Sequence, residues 1–415
     1  MTKNNNFFFK TVSLFIIVCF SSIFILSLFK IVNFWSFSQA HVNYFSGYSR
    51  RGLFGTLMLL LETLFGLEPK KTFSIFFILL TLINIFLFLI LIKKYSISKM
   101  LFFFIALNPT LILFSFNDLG GFQRFDSISI FIMLFHSMLA FNYNSKKINL
   151  NTYEKYLYYF IFPLILISLF IHEIQAWSIP LHFFISCNIK KNNYLKLFFN
   201  YLIFLIPIVF IFFSSVDPGD YEIMIKSLKN RDLWFDAIEF SALNTKNFSV
   251  IEYEIKTNLL NNYNLTINIF FIIMATIPFY IMLIFLNNKN FLINNNLNNN
   301  LFFFSIFPYL TLFAIGDTGR WINMMSFTAL SYLAQFPIKD EIKYFIYKIK
   351  IKYIFKIFII FIVLIYIFFI RLPHCCNLQE KGITIWGGFT DKSIILLKIL
   401  QKDENIINKF NQRFK

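Results

Sequence analysis

Nine ionisable residues of this chain sit beside apolar runs rather than in polar surroundings. They are Arg50, Arg51, Arg124, Arg320, His172, Asp118, Asp126, Glu173 and Asp317. They fall in four short motifs: Ser49-Arg50-Arg51-Gly52, Asn117-Asp118-Leu119-Gly120-Gly121-Phe122-Gln123-Arg124-Phe125-Asp126, His172-Glu173-Ile174-Gln175 and Gly316-Asp317-Thr318-Gly319-Arg320-Trp321. Arginine presents a planar fork that grips phosphate at two points. A carboxylate in a partly dry site can have a raised pKa and take a proton as a general base. Arg50, Arg51, Arg124 and Arg320 are therefore the candidate phosphate-binding residues. Glu173, Asp126, His172 and Asp317 are the candidate catalytic ones. Asp118, Gln123, Trp321 and Trp234 are candidate contacts to an acceptor or sugar. No cofactor is expected, although Asp118, Asp126 and Glu173 are the acids that can host a divalent cation.

The elements that must position these residues are membrane helices. Of 415 residues, 58% are hydrophobic, 21% aromatic and 14% charged, with 62 Phe. A soluble domain carries about a quarter charged residues. This composition excludes a soluble enzyme, a disordered regulator and a nucleic-acid-binding module, despite a net charge of +17. The expected fold is all-α and polytopic. Eleven apolar runs read as spans, at 11–35, 72–92, 98–116, 127–142, 156–171, 174–188, 197–215, 266–286, 301–316, 321–336 and 354–371. The run at 11–35 is too long for the apolar part of a signal peptide and reads as a retained helix. Asn108-Pro109, Pro163, Pro180, Pro207, Pro278 and Pro308 lie in or near spans and should kink them. The domain reading is a membrane domain over 1–371, with an outer insertion at 216–265, and a tail at 372–415 on the outer face.

Charge orients the chain. With the amino terminus inside, the inner segments hold eighteen lysines against three acids, Glu154, Asp340 and Glu341. The bias in the short loops is consistent at every turn. All five arginines before the last span then face outward, together with His172, Asp118, Asp126, Glu173 and Asp317. Within the first outer loop, Leu53, Leu57, Leu60, Leu61 and Leu64 recur at helical spacing, which predicts an amphipathic helix lying along the outer interface. The Phe, Ile, Asn and Lys excess suits an AT-rich bacterial genome, and the expected location is the bacterial inner membrane. Cys19, Cys187, Cys375 and Cys376 have neither metal spacing nor the look of a disulfide framework.

Each motif has an ordinary structural reading. Asp126 opens a helix and suits an N-cap. Arg50 and Arg51 suit a lipid headgroup interface. Gly316-Asp317-Thr318-Gly319 is a good turn, in which Arg320 can simply pair with Asp317. His172-Glu173 is harder to leave in solvent, because both flanks are apolar. Taken together, ionisable groups at membrane depth on one side are expensive and point to function. They suit a lipid-linked phosphate or pyrophosphate sugar: the arginines hold the diphosphate and a carboxylate takes the proton of an attacking hydroxyl. Outside the membrane no ATP is available, so the donor must carry its own activation. A transporter is the competing class. It would place polar groups near the midplane on broken helices, often in two related halves, and no internal symmetry is visible.

On these motifs the chain resembles poorly described polytopic proteins of bacterial surface-polysaccharide assembly. Such proteins are read as Wzy-type O-antigen or capsule polymerases, or as membrane glycosyltransferases of the GT-C superfamily. Likeness to the polymerases implies that Arg50, Arg51, Arg124 and Arg320 bind pyrophosphate, with Glu173 or Asp126 as base. It also implies polyprenyl-linked sugars as substrates and other assembly proteins as partners. Likeness to the GT-C enzymes implies a single-sugar transferase with a polyprenyl-phosphate donor. Those enzymes place an acid soon after the first helix, whereas here no acid precedes Glu62 in the first outer loop.

Overall fold

The computed structural model describes residues 3–29, 34–47, 51–95, 99–117, 121–190, 193–213, 217–233, 308–309 and 318–336. The expected spans at 266–286 and 354–371, nearly all of that at 301–316, most of the 216–265 insertion and the 372–415 tail lie outside the described residues. Every regular element among the described residues is helical. Four helical stretches are long and apolar enough to cross a membrane: Phe7–Phe29, Pro69–Lys94, Leu150–Ile171 and Tyr194–Ile211. The protein is a membrane protein.

The first helix, α1 (Lys3–Phe29), packs on α4 (Pro69–Tyr95) and α5 (Lys99–Ala106). Its Phe7, Leu14, Val18 and Phe29 point outward, as lipid-facing side chains do. The centre of the bundle is α7 (Asp126–Asn144). It is flanked by α4, by α10 (Ile179–Ile189) and by α14 (Thr318–Ala334). Its buried positions go all the way round: Ile128, Ser129, Ile130, Ile132, Met133, Leu134, His136 and Ser137. A helix wrapped by protein on every side needs no apolar exterior, which is why it can carry Ser129, His136 and Ser137.

Three expected spans are interrupted, each at a proline. The run at 98–116 forms α5, then turns over 107–113, then the short α6 (Phe114–Asn117). Pro109 lacks the N–H that would continue the helix and pushes Asn108 out of the helical region. Asn108 Oδ1 instead accepts from Thr110 N–H at 2.8 Å and from Thr110 Oγ1 at 2.7 Å. Two carbonyls of the broken stretch, Thr110 O and Leu111 O, accept from Asn323 Nδ2 on α14 at 2.8 and 3.0 Å. Irregular backbone at membrane depth survives when protein satisfies it in this way. Pro163 follows a π-helical turn, Leu157–Ile161, that joins α8 (Leu150–Tyr156) to α9 (Phe162–Ile171). Pro207 lies just past the break at 203–204 between α11 (Tyr194–Leu202) and α12 (Leu205–Phe213).

Between α1 and α4 a short α2 (Phe34–Gln39) and a 3-10 turn at Tyr44–Ser46 precede α3 (Gly52–Phe65). The leucine row of α3 is its outer face: Leu57, Leu60 and Leu64 are exposed. The row that packs is Gly52, Phe54, Gly55 and Met58. A Cβ at Gly55 would overlap the Val42 carbonyl, so glycine lets α3 close onto the turn before it. After α12, α13 (Pro218–Asn230) returns to this segment, with Asp217 Oδ1 accepting from Gly219 N–H at 2.8 Å. It buries Met224 and Leu228 and is fastened by Arg231 to Glu62 and by Lys70 Nζ to Asp232 Oδ2 at 3.2 Å.

Candidate functional site

His172 closes α9. Its N–H donates to Ser168 O at 2.9 Å, and its extended backbone turns the chain into the 3-10 segment Glu173–Ser178. His172 Nδ1 accepts from the Ile174 N–H at 3.2 Å. The proton of the neutral ring is therefore on Nε2. Glu173, the next residue, meets Arg51, which stands immediately before α3. Arg51 Nε donates to Glu173 Oε2 at 2.8 Å, and Arg51 Nη2 pairs with Glu173 Oε1. The close seat of α3 at Gly55 and its packing on α9 bring this pair together.

On the other side of His172 lies a second fork. Arg320, in the first turn of α14, donates from Nε to Asp126 Oδ2 at 2.5 Å and from Nη2 to Asp126 Oδ1 at 2.7 Å. Asp126 is the first residue of α7, where the helix dipole favours a negative charge. The expected N-cap role falls instead to Phe125, which makes no side-chain cap bond. The Arg320 guanidinium also lies 4.9 Å above the Trp321 ring. Asn323, one turn on, docks this end of α14 to the broken 107–113 segment.

Burial works to raise the Asp126 carboxyl, but Arg320, with Arg124 behind it, holds it below the ordinary carboxylate range. Burial, and next Arg51, push the His172 imidazole from 6.5 down to about 3. His172 is thus a neutral hydrogen-bond donor between two ion pairs. Arg124 is a third guanidinium close enough for the Asp126 carboxyl to feel its charge.

The structure brings together six of the expected site residues: Arg51, Arg124, Asp126, His172, Glu173 and Arg320. Gln123 and Trp321 are close in sequence but turned into protein. Gln123 is fully buried at positive φ, with Nε2 3.4 Å from Ser74 Oγ, and Trp321 is 6% exposed. Arg50, Asp118, Asp317 and Trp234 lie outside the described residues. Among the described residues no group of three or more His, Cys, Asp or Glu is placed to hold a metal ion.

Close to the start of α3 and the end of α9 lies an open cleft of about 420 Å³. Tyr44, Gly47, Leu53, Phe170 and Phe210 line it. Sequence reasoning passed over this cleft because its walls come from four separate segments. A second feature it passed over is a chain of buried polar groups around His136 and His182. Its sequence signal is a shared spacing: Ser129 and His136 are seven apart on α7, and Gln175 and His182 are seven apart across the 3-10 segment and α10. Ser129 Oγ bonds Gln175 Oε1, and His136 bonds His182, so both pairs sit in the same register.

Compared with protein-family models, with curated proteins and with solved structures, the chain matches none.

Proposed function

We propose that the protein is a surface-polysaccharide polymerase that transfers polyprenyl-pyrophosphate-linked glycan at the outer face of a bacterial inner membrane. The observation that carries this reading is the pair of guanidinium–carboxylate forks flanking a neutral histidine at one end of a membrane bundle. The forks hold both arginines aligned before substrate arrives, which lowers the ordering cost of gripping a diphosphate. A diphosphate carries more charge than a carboxylate and competes for the same N–H groups. Arg51 then turns to phosphate and releases Glu173.

The released Glu173 carboxylate accepts the proton of the acceptor-sugar hydroxyl. The hydroxyl oxygen forms the new bond to the anomeric carbon. The old bond from that carbon to the diphosphate oxygen breaks, and the electron pair leaves with the polyprenyl diphosphate. Arg51 and Arg320 spread the leaving charge, and His172 Nε2–H donates a hydrogen bond to it. Asp126 is the weaker base, since Arg320 keeps it ionised, and its part is to aim Arg320. The cleft close to the start of α3 takes the first isoprene units.

The proposal includes the eleven-span topology, with the amino terminus inside and the forks outside. Two contacts support that orientation. Lys94 Nζ donates to Asn142 Oδ1 at 3.3 Å, and Lys190 pairs with Glu154, so lysines gather at the bundle end opposite the arginines.

Deletion of the gene tests the reading, with surface and lipid-linked glycans resolved by gel and mass spectrometry. Single repeat units in place of a ladder are expected. Lipid-linked sugars truncated by one residue would mean a single-sugar transferase, and complete repeats trapped on the inner leaflet would mean transport.

A further inference from the structure

Ten residues along α7 from Asp126, about 15 Å deeper in the bundle, five polar side chains from four helices form one continuous hydrogen-bonded chain. His182 Nδ1 and His136 Nδ1 are 2.9 Å apart, with their rings nearly parallel at 13°. His136 Nε2 is 2.8 Å from Tyr153 Oη. Tyr153 Oη is 3.4 Å from Ser186 Oγ, which is 3.0 Å from Tyr201 Oη. Tyr201 is 6% exposed and the other four are fully buried. His182 Nε2, at the upper end, is buried with no hydrogen-bond partner among the described residues. The fourth member, Ser186, lies toward the lysine side. Ser186 is one turn from Lys190, whose partner Glu154 is about a third exposed. Tyr143, Tyr158 and Cys187 are the other titratable groups around the chain.

None of these residues takes part in the glycosyl-transfer reading. Two imidazoles and three hydroxyls in a membrane interior are costly to bury, and such groups mark ion or proton pathways. We propose that His182, His136, Tyr153, Ser186 and Tyr201 form a proton relay within the membrane bundle, a second activity of this protein.

Proton inventory fixes how the relay works. Each neutral member holds one mobile proton, so the chain has two ordered states. In the first, His182 Nδ1–H donates to His136, His136 Nε2–H to Tyr153, Tyr153 to Ser186 and Ser186 to Tyr201. A proton arriving at His182 Nε2 sends its Nδ1 proton to His136 Nδ1. His136 gives its Nε2 proton to Tyr153, each hydroxyl passes its own onward, and Tyr201, the one member of the chain with exposed surface, releases its own to water. One proton enters, one leaves, and no charge stays behind. The chain is then ordered the opposite way. A second proton in the same direction requires the hydroxyls to rotate and both rings to turn over. The relay is therefore slow and sensitive to any motion of α7 against α10.

The test is a flux measurement on the full-length protein in sealed vesicles loaded with a pH-sensitive dye. A potassium diffusion potential, negative inside, drives protons inward. The relay predicts acidification faster than in protein-free vesicles. Tyr153→Phe, which keeps volume and removes the central hydroxyl, should bring the rate down at least about tenfold. Tyr158→Phe, a neighbour outside the chain, should leave it unchanged. Ser186→Ala breaks the same chain one link further and replaces Tyr153→Phe if that variant fails to insert. A wild-type rate equal to that of empty vesicles overturns the proposal. So does an undiminished rate in both chain-breaking variants, or an equal loss in Tyr158→Phe.

Discussion

Arg320 and Asp126 stand 194 positions apart and meet in a two-point ion pair, at 2.5 and 2.7 Å, between the first turns of α14 and α7. The pair fixes how the starts of two central helices sit against each other and aims one fork of the site. It is buried on both sides, with the side chains 11% and 9% exposed.

Removing one member of such a pair leaves a buried charge without its partner and costs about 3–5 kcal/mol. Arg320→Gln and Asp126→Asn should each destabilise the purified protein by that order. The double variant should lose less than the sum of the two, by about 1–3 kcal/mol. Thermal unfolding in one detergent, over all four proteins of the cycle, measures it. Simple additivity would mean the two side chains do not meet.

Acid should destabilise the protein in two stages. The folded His172 ring accepts a proton only near pH 3, whereas the unfolded ring accepts one near 6.5. Unfolding therefore takes up protons between those values, and stability falls as pH drops through that window. His41, lowered to about 4 chiefly by burial, adds to the same slope. The Asp126 carboxyl lies below 3.8 when folded, so its contribution is intact above 3.8 and is lost as pH falls further. His172→Gln should flatten the upper stage and Asp126→Asn the lower. A pH scan of the melting temperature reads both.

Gly55→Ala should act at a distance. The added methyl overlaps the Val42 carbonyl, which belongs to backbone and cannot swing aside. Overpacking of this kind costs about 1–3 kcal/mol. The shift of α3 carries Arg51 away from Glu173, so activity should fall more than stability does. Comparing turnover with melting temperature in Gly55→Ala and in a surface control, Thr63→Ala, separates the two effects.

Widening the cleft tests what lies in it. Phe210→Ala removes a wall without touching Arg51 or Glu173. It should raise KM for a long-chain polyprenyl donor and leave kcat within about twofold. A short-chain donor should show no such difference between wild type and variant.

That these residues border apolar helices was legible in the sequence, and their pairing was not. Arg51, Asp126, His172, Glu173 and Arg320 each flank an apolar run. Which arginine meets which acid depends on how helices are rotated and packed, and the sequence carries little of that. Arg320 meets Asp126, 194 positions away, on a helix that nothing in its own motif singles out. The break at 107–113 was signalled by Asn108-Pro109, but its repair by Asn323 required two helices to be brought side by side. His136 and His182 each lie singly in an apolar stretch of sequence. Their common spacing with Ser129 and Gln175 was visible only once α7 and α10 were known to be neighbours.

The central claim is that the paired forks around His172 transfer glycan from a polyprenyl diphosphate. Its most direct measurement uses purified protein in nanodiscs with a polyprenyl-pyrophosphate-linked repeat unit, following chain length and released polyprenyl diphosphate together. Wild type should produce a ladder and one released diphosphate per repeat added. Glu173→Gln should lower the rate about 10²–10⁴-fold, the range of a lost general base, while the protein stays folded. A ladder that forms at the wild-type rate in Glu173→Gln, or wild-type protein that neither extends the glycan nor releases the diphosphate, would contradict the account.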